Sequence, residues 1–319
     1  MSETAALVLK LLREGPQTPS ELAETLRIPL TELRIHLDRL REKGMDIAPH
    51  PILGLELGPP PRHLVAEDIA SRMEPCGWTR IETLDVTPST NNLAMEHGVR
   101  GGTGPVAFFA EKQTAGRGRF GRIWESEAGE GLWMSLFLQP SAPMVSWPRL
   151  TTMAALALSE AIEATTSLTP LIKWPNDIVC REKKVAGILA ETGSHPENGP
   201  FIVLGIGVNV NQTSFPEAIS ETAGSLRMLS GCPFNRSTLA AELLNRLQAL
   251  IPLIHSDFSS VLEGVKKRSS VLGKHLAADL GGMLVHGTAE DLDSEGGLIL
   301  LLPDGSRRNL HAGEVTLRR

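Results

Sequence analysis

The sequence predicts an α+β protein in three parts: an N-terminal winged helix-turn-helix, a central mixed α/β domain and a small C-terminal β module. Three observations predict it. Short capped helices open the chain and lead into an extended stretch and the run Pro59-Pro60-Pro61. From His63 onward, apolar strand-like runs alternate with helical patterns. From Ser269, strand-like patches are separated by glycine pairs. The proline run is a stiff linker, so the parts are expected at 1–58, 63–267 and 268–319.

The bulk numbers agree. A chain of 319 residues suggests about two or three domains. With 41% hydrophobic and 21% charged residues it has a globular composition. The net charge of −6 excludes a generally nucleic-acid-binding surface, so any DNA contact must come from a local patch. Cys76, Cys180 and Cys232 are far apart, which argues against a disulfide scaffold or a zinc site and suits a reducing compartment. Neither a basic signal region at the start nor an apolar run of roughly 18 residues occurs, so a cytoplasmic location without membrane contact is expected.

A first helix reads from Ala5 to Leu12 and stops at Gly15-Pro16. A second begins with Thr18 as N-cap, Pro19 in the first turn and Glu21 closing a capping box. A third covers Thr31 to Lys43, with Leu33, Leu37 and Leu40 on one buried stripe. The extended stretch Ile52 to Leu57 completes the winged pattern. Residues 1–57 hold seven Lys and Arg against nine Asp and Glu, a poor balance for neutralising phosphate. Arg34, Arg39 and Arg41 nevertheless lie on the third helix, so DNA binding and a packing or contact role both stay open.

In the central part, Ile69 to Gly77 looks helical and Arg80 to Val86 looks like a strand. Ser89-Thr90-Asn91 precedes the next helix. Ser89 can cap that helix, or these side chains can hold a polar ligand. Val106 to Ala110 and Leu132 to Leu138 read as buried strands, and Met153 to Thr165 as an alanine-rich helix. Leu171 to Val179 reads as one strand crowded with Lys173, Trp174, Asn176 and Asp177, with Pro175 marking an edge or bulge. Buried polar groups are costly unless paired, which points to function. A turn at Arg181 to Lys184 leads into Val185 to Ala190, placing Lys184 at the inner shoulder of a hairpin. Gly205 and Gly207 thin the strand Phe201 to Val210, which lets a ligand approach the backbone.

Between two of these strands lies Gly116-Arg117-Gly118-Arg119-Phe120-Gly121-Arg122. Interleaved glycine and arginine suit a loop that closes over an anion: glycine gives freedom and close approach, arginine a fork of donors. The spacing Gly116, Gly118, Gly121 matches a dinucleotide fingerprint, but the preceding strand ends too early and no amphipathic helix follows. A P-loop and a metalloprotease motif are absent from the sequence.

With Lys173-Trp174-Pro175-Asn176-Asp177, Lys184-Val185-Ala186-Gly187-Ile188-Leu189, Ser89-Thr90-Asn91 and Gly205-Ile206-Gly207-Val208-Asn209, this loop resembles the bacterial biotin protein ligases of the bifunctional type that also repress biotin synthesis genes. The resemblance covers nearly the whole chain. It implies activation of biotin by ATP to biotinyl-5'-AMP, with Mg²⁺, and transfer of biotin to a lysine of a biotin carboxyl carrier domain. Lys184, Arg119 and Asp177 would be the catalytic groups. Ser89, Thr90, Asn91, Gln113, Arg117, Gly118, Arg119, Lys184, Gly187 and Gly205 would hold biotin. Arg117, Arg119, Arg122, Trp124, Asn176, Lys184 and Asn209 would hold ATP or the adenylate, Trp124 by packing on adenine.

Asp177 is left as base, ligand orienter or metal contact, and no metal-ligand set is assigned. Residues 114–126 would be mobile without ligand. Residues 20–43, with Arg34 and Arg39, would face operator DNA, although the wing from Pro49 to Leu55 lacks the family's basic, glycine-flanked tip. The C-terminal module would be an SH3-like β-barrel, with Arg307, Arg308, Arg318 and Arg319 expected in solvent. The resemblance also allows a homodimer joined by sheet contact. Two other functions fit parts of the pattern: a lipoate-type acyl-adenylating ligase, and a DNA-binding regulator that senses a small ligand.

Overall fold

The computed structural model describes residues 2–74, 77–78, 80–311 and 313–317; Cys76, Arg318 and Arg319 lie outside them. The first helix, α1 (Glu3–Glu14), is capped by the Ser2 hydroxyl. Helix α2 (Pro19–Leu26) carries the expected capping box: Thr18 accepts from the Glu21 amide at 3.2 Å, and Glu21 accepts from the Thr18 amide at 2.8 Å. Helix α3 (Leu30–Glu42) buries Leu33, Leu37 and Leu40, and His36 with them.

The wing differs from its expected form. It is a hairpin of β1 (Ile47–His50) and β2 (Gly54–Leu57), and Ile52 and Leu53 sit in its turn. The second strand starts at Gly54 because its φ of +104° turns the chain there, and the Gln17 backbone presses against it, leaving no room for a side chain.

Helix α4 (Ala66–Ser71) lies earlier than the expected Ile69 to Gly77. Its acids turn toward the N-terminal part. Arg13 pairs with the buried Asp68 and donates to Ser71 Oγ at 3.2 Å, and Lys43 reaches Glu67 at 2.8 Å. Burial pushes the Glu67 carboxyl up, but Lys43 and backbone donors outweigh it and hold it below its usual range.

The central part continues as β3 (Arg80–Thr87), α5 (Thr90–Val99), β4 (Val106–Gln113), β5 (Gly131–Leu138) and α6 (Arg149–Thr165). It then runs through β6 (Leu171–Lys173), β7 (Asp177–Cys180), β8 (Lys183–His195) and β9 (Gly199–Asn209). The short helices α7 (Glu217–Ser220) and α8 (Leu226–Ser230), then α9 (Arg236–Leu250), α10 (Leu253–Ser256) and α11 (Phe258–Lys267), complete it. The sheet order is β3-β4-β5-β9-β8-β7-β6; β3 and β4 are parallel and the other pairs antiparallel.

The expected single strand from Leu171 to Val179 is instead the tight β6–β7 hairpin at the sheet edge, with Lys173 opposite Asp177 and a cis Trp174–Pro175 bond in its turn. Proline has no ladder donor, so the strand cannot run through it. The Trp174 indole leaves the hairpin and donates to Gly296 O at 3.0 Å in the C-terminal part. The Cys180 thiol is buried, which pushes its pKa up to about 12.

Period two separates the faces of the sheet. Leu132, Met134, Leu136, Ile202, Leu204 and Ile206 join α6 and α9 in the main core. Phe108, Phe137, Phe201 and Val203 face the other way, against Ala94 of α5. The C-terminal part is an antiparallel sheet of β10 (His275–Asp279), β11 (Leu284–Leu292), β12 (Leu298–Leu301), β13 (Arg307–Leu310) and β14 (Glu314–Leu317), in the order β13-β12-β11-β10-β14. Arg149–Glu295 at 2.6 Å and Lys266–Asp291 at 2.8 Å tie it to the central part. Arg307 pairs with Glu290 on the surface, at 2.7 Å from its Nη2, and Arg308 is exposed. Among the described residues, no helix is long and apolar enough to cross a membrane.

His97 stacks edge-on against Phe137, with ring centroids 4.8 Å apart. Burial lowers its pKa from the ordinary 6.5, a backbone contact with Thr103 opposes this, and Arg80 lowers it further. The unfolded chain therefore takes up this proton at a higher pH than the folded one. The contribution is complete above about pH 6.5 and shrinks as pH falls toward the lower folded value. A His97→Gln variant should lose less melting temperature than the parent between pH 7 and pH 5, by a few degrees in thermal melts.

Candidate active site

On the α5 face, the pattern that gives Phe201 and Val203 at one end of β9 gives Gly205, Gly207 and Asn209 at the other. Gly187 lies opposite Gly207 in β8. This end of the sheet is therefore thinned at Gly187, Gly205 and Gly207, which leaves part of the layer unfilled by its own side chains. The result is a cavity of about 210 Å³, where one water needs roughly 10–15 Å³, so a small organic molecule fits.

The cavity collects residues from each of the motifs singled out in the central part. Ser89, Thr90, Asn91 and Gln113 line one end. Arg117, Gly118, Arg119, Arg122 and Trp124 come from the loop. Asn176, Asp177, Lys184, Gly187, Gly205 and Asn209 come from the sheet. Arg34 and Arg39 are elsewhere, exposed on α3. Among the described residues, no group of three His, Cys, Asp or Glu side chains could hold a metal.

At the start of α5, Ser89 occupies the N-cap position, but its side chain makes no capping bond. Gln113 Oε1 accepts from the Thr90 amide at 2.9 Å and its Nε2 donates to Ser126 Oγ at 2.9 Å, so its orientation is set from both ends. Ser135, fully buried beneath them, donates to Asn91 Oδ1 at 2.5 Å and lies 2.7 Å from Thr90 Oγ1.

The glycines do something other than expected. They seat protein side chains. The Asn91 amide fills the space over Gly205. The Trp124 indole lies on Gly207, where a Cβ would come within 2.6 Å of the ring, and reaches over Gly187, where it would come within 3.1 Å. Lys184 Nζ sits 5.3 Å from the Trp124 ring centroid. It is also 2.7 Å from Asp177 Oδ1, an ion pair on the cavity wall.

The loop leaves β4 without entering a helix and makes a 3-10 turn at Arg119–Gly121. Its limbs pair through Gly118 N to Arg122 O at 2.8 Å and Trp124 N to Gly116 O at 3.0 Å. Arg119 donates to Asn176 Oδ1 at 2.9 Å, and Asn176 is held by Ile188 O at 2.8 Å. Three arginines and Lys184 face only Glu125 and Asp177 among the lining acids, so the cavity favours an anion.

Three contributions were missed in the sequence. Ser135 and Glu191 support the polar end, and a strap bearing Phe215, Ile219, Thr222 and Ala223 closes one side. The strap joins β8 through Lys184 N to Thr222 O at 2.7 Å. Glu191 was findable by period two, since residues 187, 189 and 191 share a face. The strap carries no motif.

Comparisons with known proteins agree with this arrangement. Residues 83–209 match the biotin/lipoate A/B protein ligase family, residues 271–318 the biotin protein ligase C-terminal domain, and residues 2–45 the bacterial regulatory protein, arsR family. The bifunctional ligase/repressor BirA of Bacillus spizizenii is 30% identical over 302 residues, covering 93% of this chain and 92% of that protein. The biotin–[acetyl-CoA-carboxylase] ligase of Mycobacterium tuberculosis is 34% identical over 230 residues, covering 70% and 84%. The structure of the Aquifex aeolicus biotin protein ligase in complex with biotin and ATP aligns with a TM-score of 0.66 at 30% identity, covering 76% of this chain and 100% of that one.

The seat of Trp124 is testable. Gly207→Ala should lift the indole, at a cost of about 1–3 kcal/mol for overpacking. Hydrogen exchange at amides 116–124 should then speed up about tenfold or more; unchanged exchange would mean the indole does not depend on this glycine.

Proposed function

The chain belongs to the biotin protein ligase family, and from that premise we propose that this cavity activates biotin with ATP and passes it to a lysine of a carrier protein. The observation that carries the reading is the convergence of the arginine loop, Lys184 and the polar start of α5 on one cavity. A carboxylate oxygen of biotin attacks the α-phosphorus of ATP, the bond to the β-phosphate breaks, and pyrophosphate leaves. Arg119, Arg122 and Lys184 stabilise the negative charge carried through this step, and Lys184 draws carboxylate and phosphate together. Ser89, Thr90, Asn91 and Gln113 hold the polar ring of biotin, and Trp124 and Asn209 complete the adenylate site. Closing the loop keeps water from the mixed anhydride.

In the second step a lysine amine of the acceptor attacks the acyl carbon and AMP leaves. The acceptor is a biotin carboxyl carrier domain such as that of acetyl-CoA carboxylase. Asp177, on the cavity wall and paired with Lys184 at 2.7 Å, orients that amine or takes its proton. Mg²⁺ would accompany ATP and offset phosphate charge there, and would need few protein ligands, since small hard cations keep several waters. The setting proposed is the cytoplasm, with a homodimer through sheet contact as the assembly.

The test is labelled biotin, ATP, Mg²⁺ and a carrier domain, with lipoate run in parallel to separate the related acyl transfer. Arg119→Ala should lower adenylate formation about 100-fold, and Asp177→Asn should slow transfer more than activation. Undiminished adenylate formation by the Arg119 variant would overturn the reading.

A second role rests on the N-terminal match to bacterial regulators and on the exposure of Arg34 and Arg39 on α3. We infer that residues 20–43 contact operator DNA and repress transcription in response to biotin. A gel shift with the protein's own upstream region should show binding that strengthens with biotinyl-5'-AMP and weakens steeply with salt; no shift at low salt would remove this role.

A further inference from the structure

Glu191 does not line the cavity, yet it touches two residues that do. It stands on β8 opposite Val203, on the same face as Gly187 and Leu189. Its Oε2 accepts from Asn91 Nδ2 at 2.6 Å and lies 3.2 Å from Arg117 Nη2; its Oε1 accepts from the same Nη2 at 3.3 Å. Asn91 is held on its other side by Ser135 at 2.5 Å, which fixes its amide with oxygen toward Ser135 and nitrogen toward Glu191. Arg117 spends its remaining fork on Asn92 Oδ1 at 2.7 Å. The guanidinium of Arg117 is thus paired to the protein at both ends of its fork. That geometry suits a strut better than a ligand-holding charge.

We propose that Glu191 is a positioning residue: it anchors the loop through Arg117 and sets the Asn91 amide at the same time, so loop closure and the biotin end of the cavity share one register. This assignment rests on the ligase reading for its effect on biotin, but not for its effect on the loop. Anion binding then falls mainly to Arg119, Arg122 and Lys184.

The side chains of Glu191 and Arg117 are 32% and 40% exposed, so removing the charge leaves no group stranded in a dry interior and the variant should fold. The test uses Glu191→Gln, Arg117→Ala and the double variant in the full chain, each checked by thermal melt, with two readouts. In biotin-dependent pyrophosphate exchange, Glu191→Gln should raise KM for biotin about tenfold while kcat stays within about threefold. The double variant should fall well short of the product of the two single effects, because the Glu191–Arg117 contact is already lost in either single. A purely structural role would lower the melting temperature and the active fraction without moving KM.

Independently of activity, trypsin should cut within residues 117–122 several-fold faster in Glu191→Gln than in the parent. Equal cleavage rates, or single effects that multiply in the double variant, overturn the proposal. Absence of exchange in the parent would instead count against the ligase reading and leave the cleavage result to decide on Glu191. Glu191→Asp keeps the charge one methylene short, and should recover cleavage resistance in part; no recovery relative to Glu191→Gln would also count against the anchor.

Discussion

Everything at the site depends on a face of the central sheet that changes from packed phenylalanines to a patch of three glycines. At one end of β9, Phe201 and Val203 pack with Phe108, Phe137 and Ala94 of α5. At the other, Gly205 and Gly207, with Gly187 beside them, leave a layer of space that side chains would otherwise fill. Close packing does not tolerate a void of that size without an occupant. Asn91 and Trp124 take part of it, and the rest is the cavity. The same glycines that open the site therefore seat the loop that covers it.

The parts of the chain are joined by apolar packing and by ion pairs: Leu276, Leu292 and Leu298 of the C-terminal sheet share the core cluster of α6 and α11, and Val65 packs with the N-terminal helices. Arg236 pairs with Glu111 at 2.9 Å, both nearly enclosed, and Glu111 also accepts from the Leu64 amide at 2.6 Å in the segment that follows the proline linker. Asp68 and Glu67 receive Arg13 and Lys43 from the N-terminal part. The enclosed Arg236–Glu111 pair adds little net stability over an apolar contact, yet breaking one partner costs about 3–5 kcal/mol because the other is left uncompensated. The Arg13–Asp68 and Lys43–Glu67 pairs span the N-terminal and central parts. Glu111 and Gln113 are two residues apart on β4, so the strand that meets the cavity also meets the junction. Trp174 does the same work for the C-terminal sheet, which divides the Lys173–Asp177 motif into an anchor and a site.

Much was legible in the sequence, and for local reasons. The capping box at Thr18 and Glu21, the stripe Leu33, Leu37, Leu40 and the turn before Lys184 each depend on residues within about one helical turn or one hairpin of each other. The interleaved glycines and arginines announce an anion loop because few other uses need both. The residues expected from the motifs do meet around one cavity. Where reading failed, the break was partly local and partly distant: Pro175 ended the strand expected through it, and the Gln17 backbone packs where a side chain at Gly54 would lie.

The sequence by itself determined most of the elements, the capping box of α2, the cationic loop and the kinship of the chain, since propensity, periodicity and short-range hydrogen bonding are properties of neighbours. Only the tertiary structure decided that the glycines hold Asn91 and Trp124, that Ser135 and Glu191 brace the polar end, and that the strap from Phe215 to Ala223 closes the side. Those outcomes follow from the register between strands far apart in the chain. Register is set by how whole faces pack, which no local pattern contains.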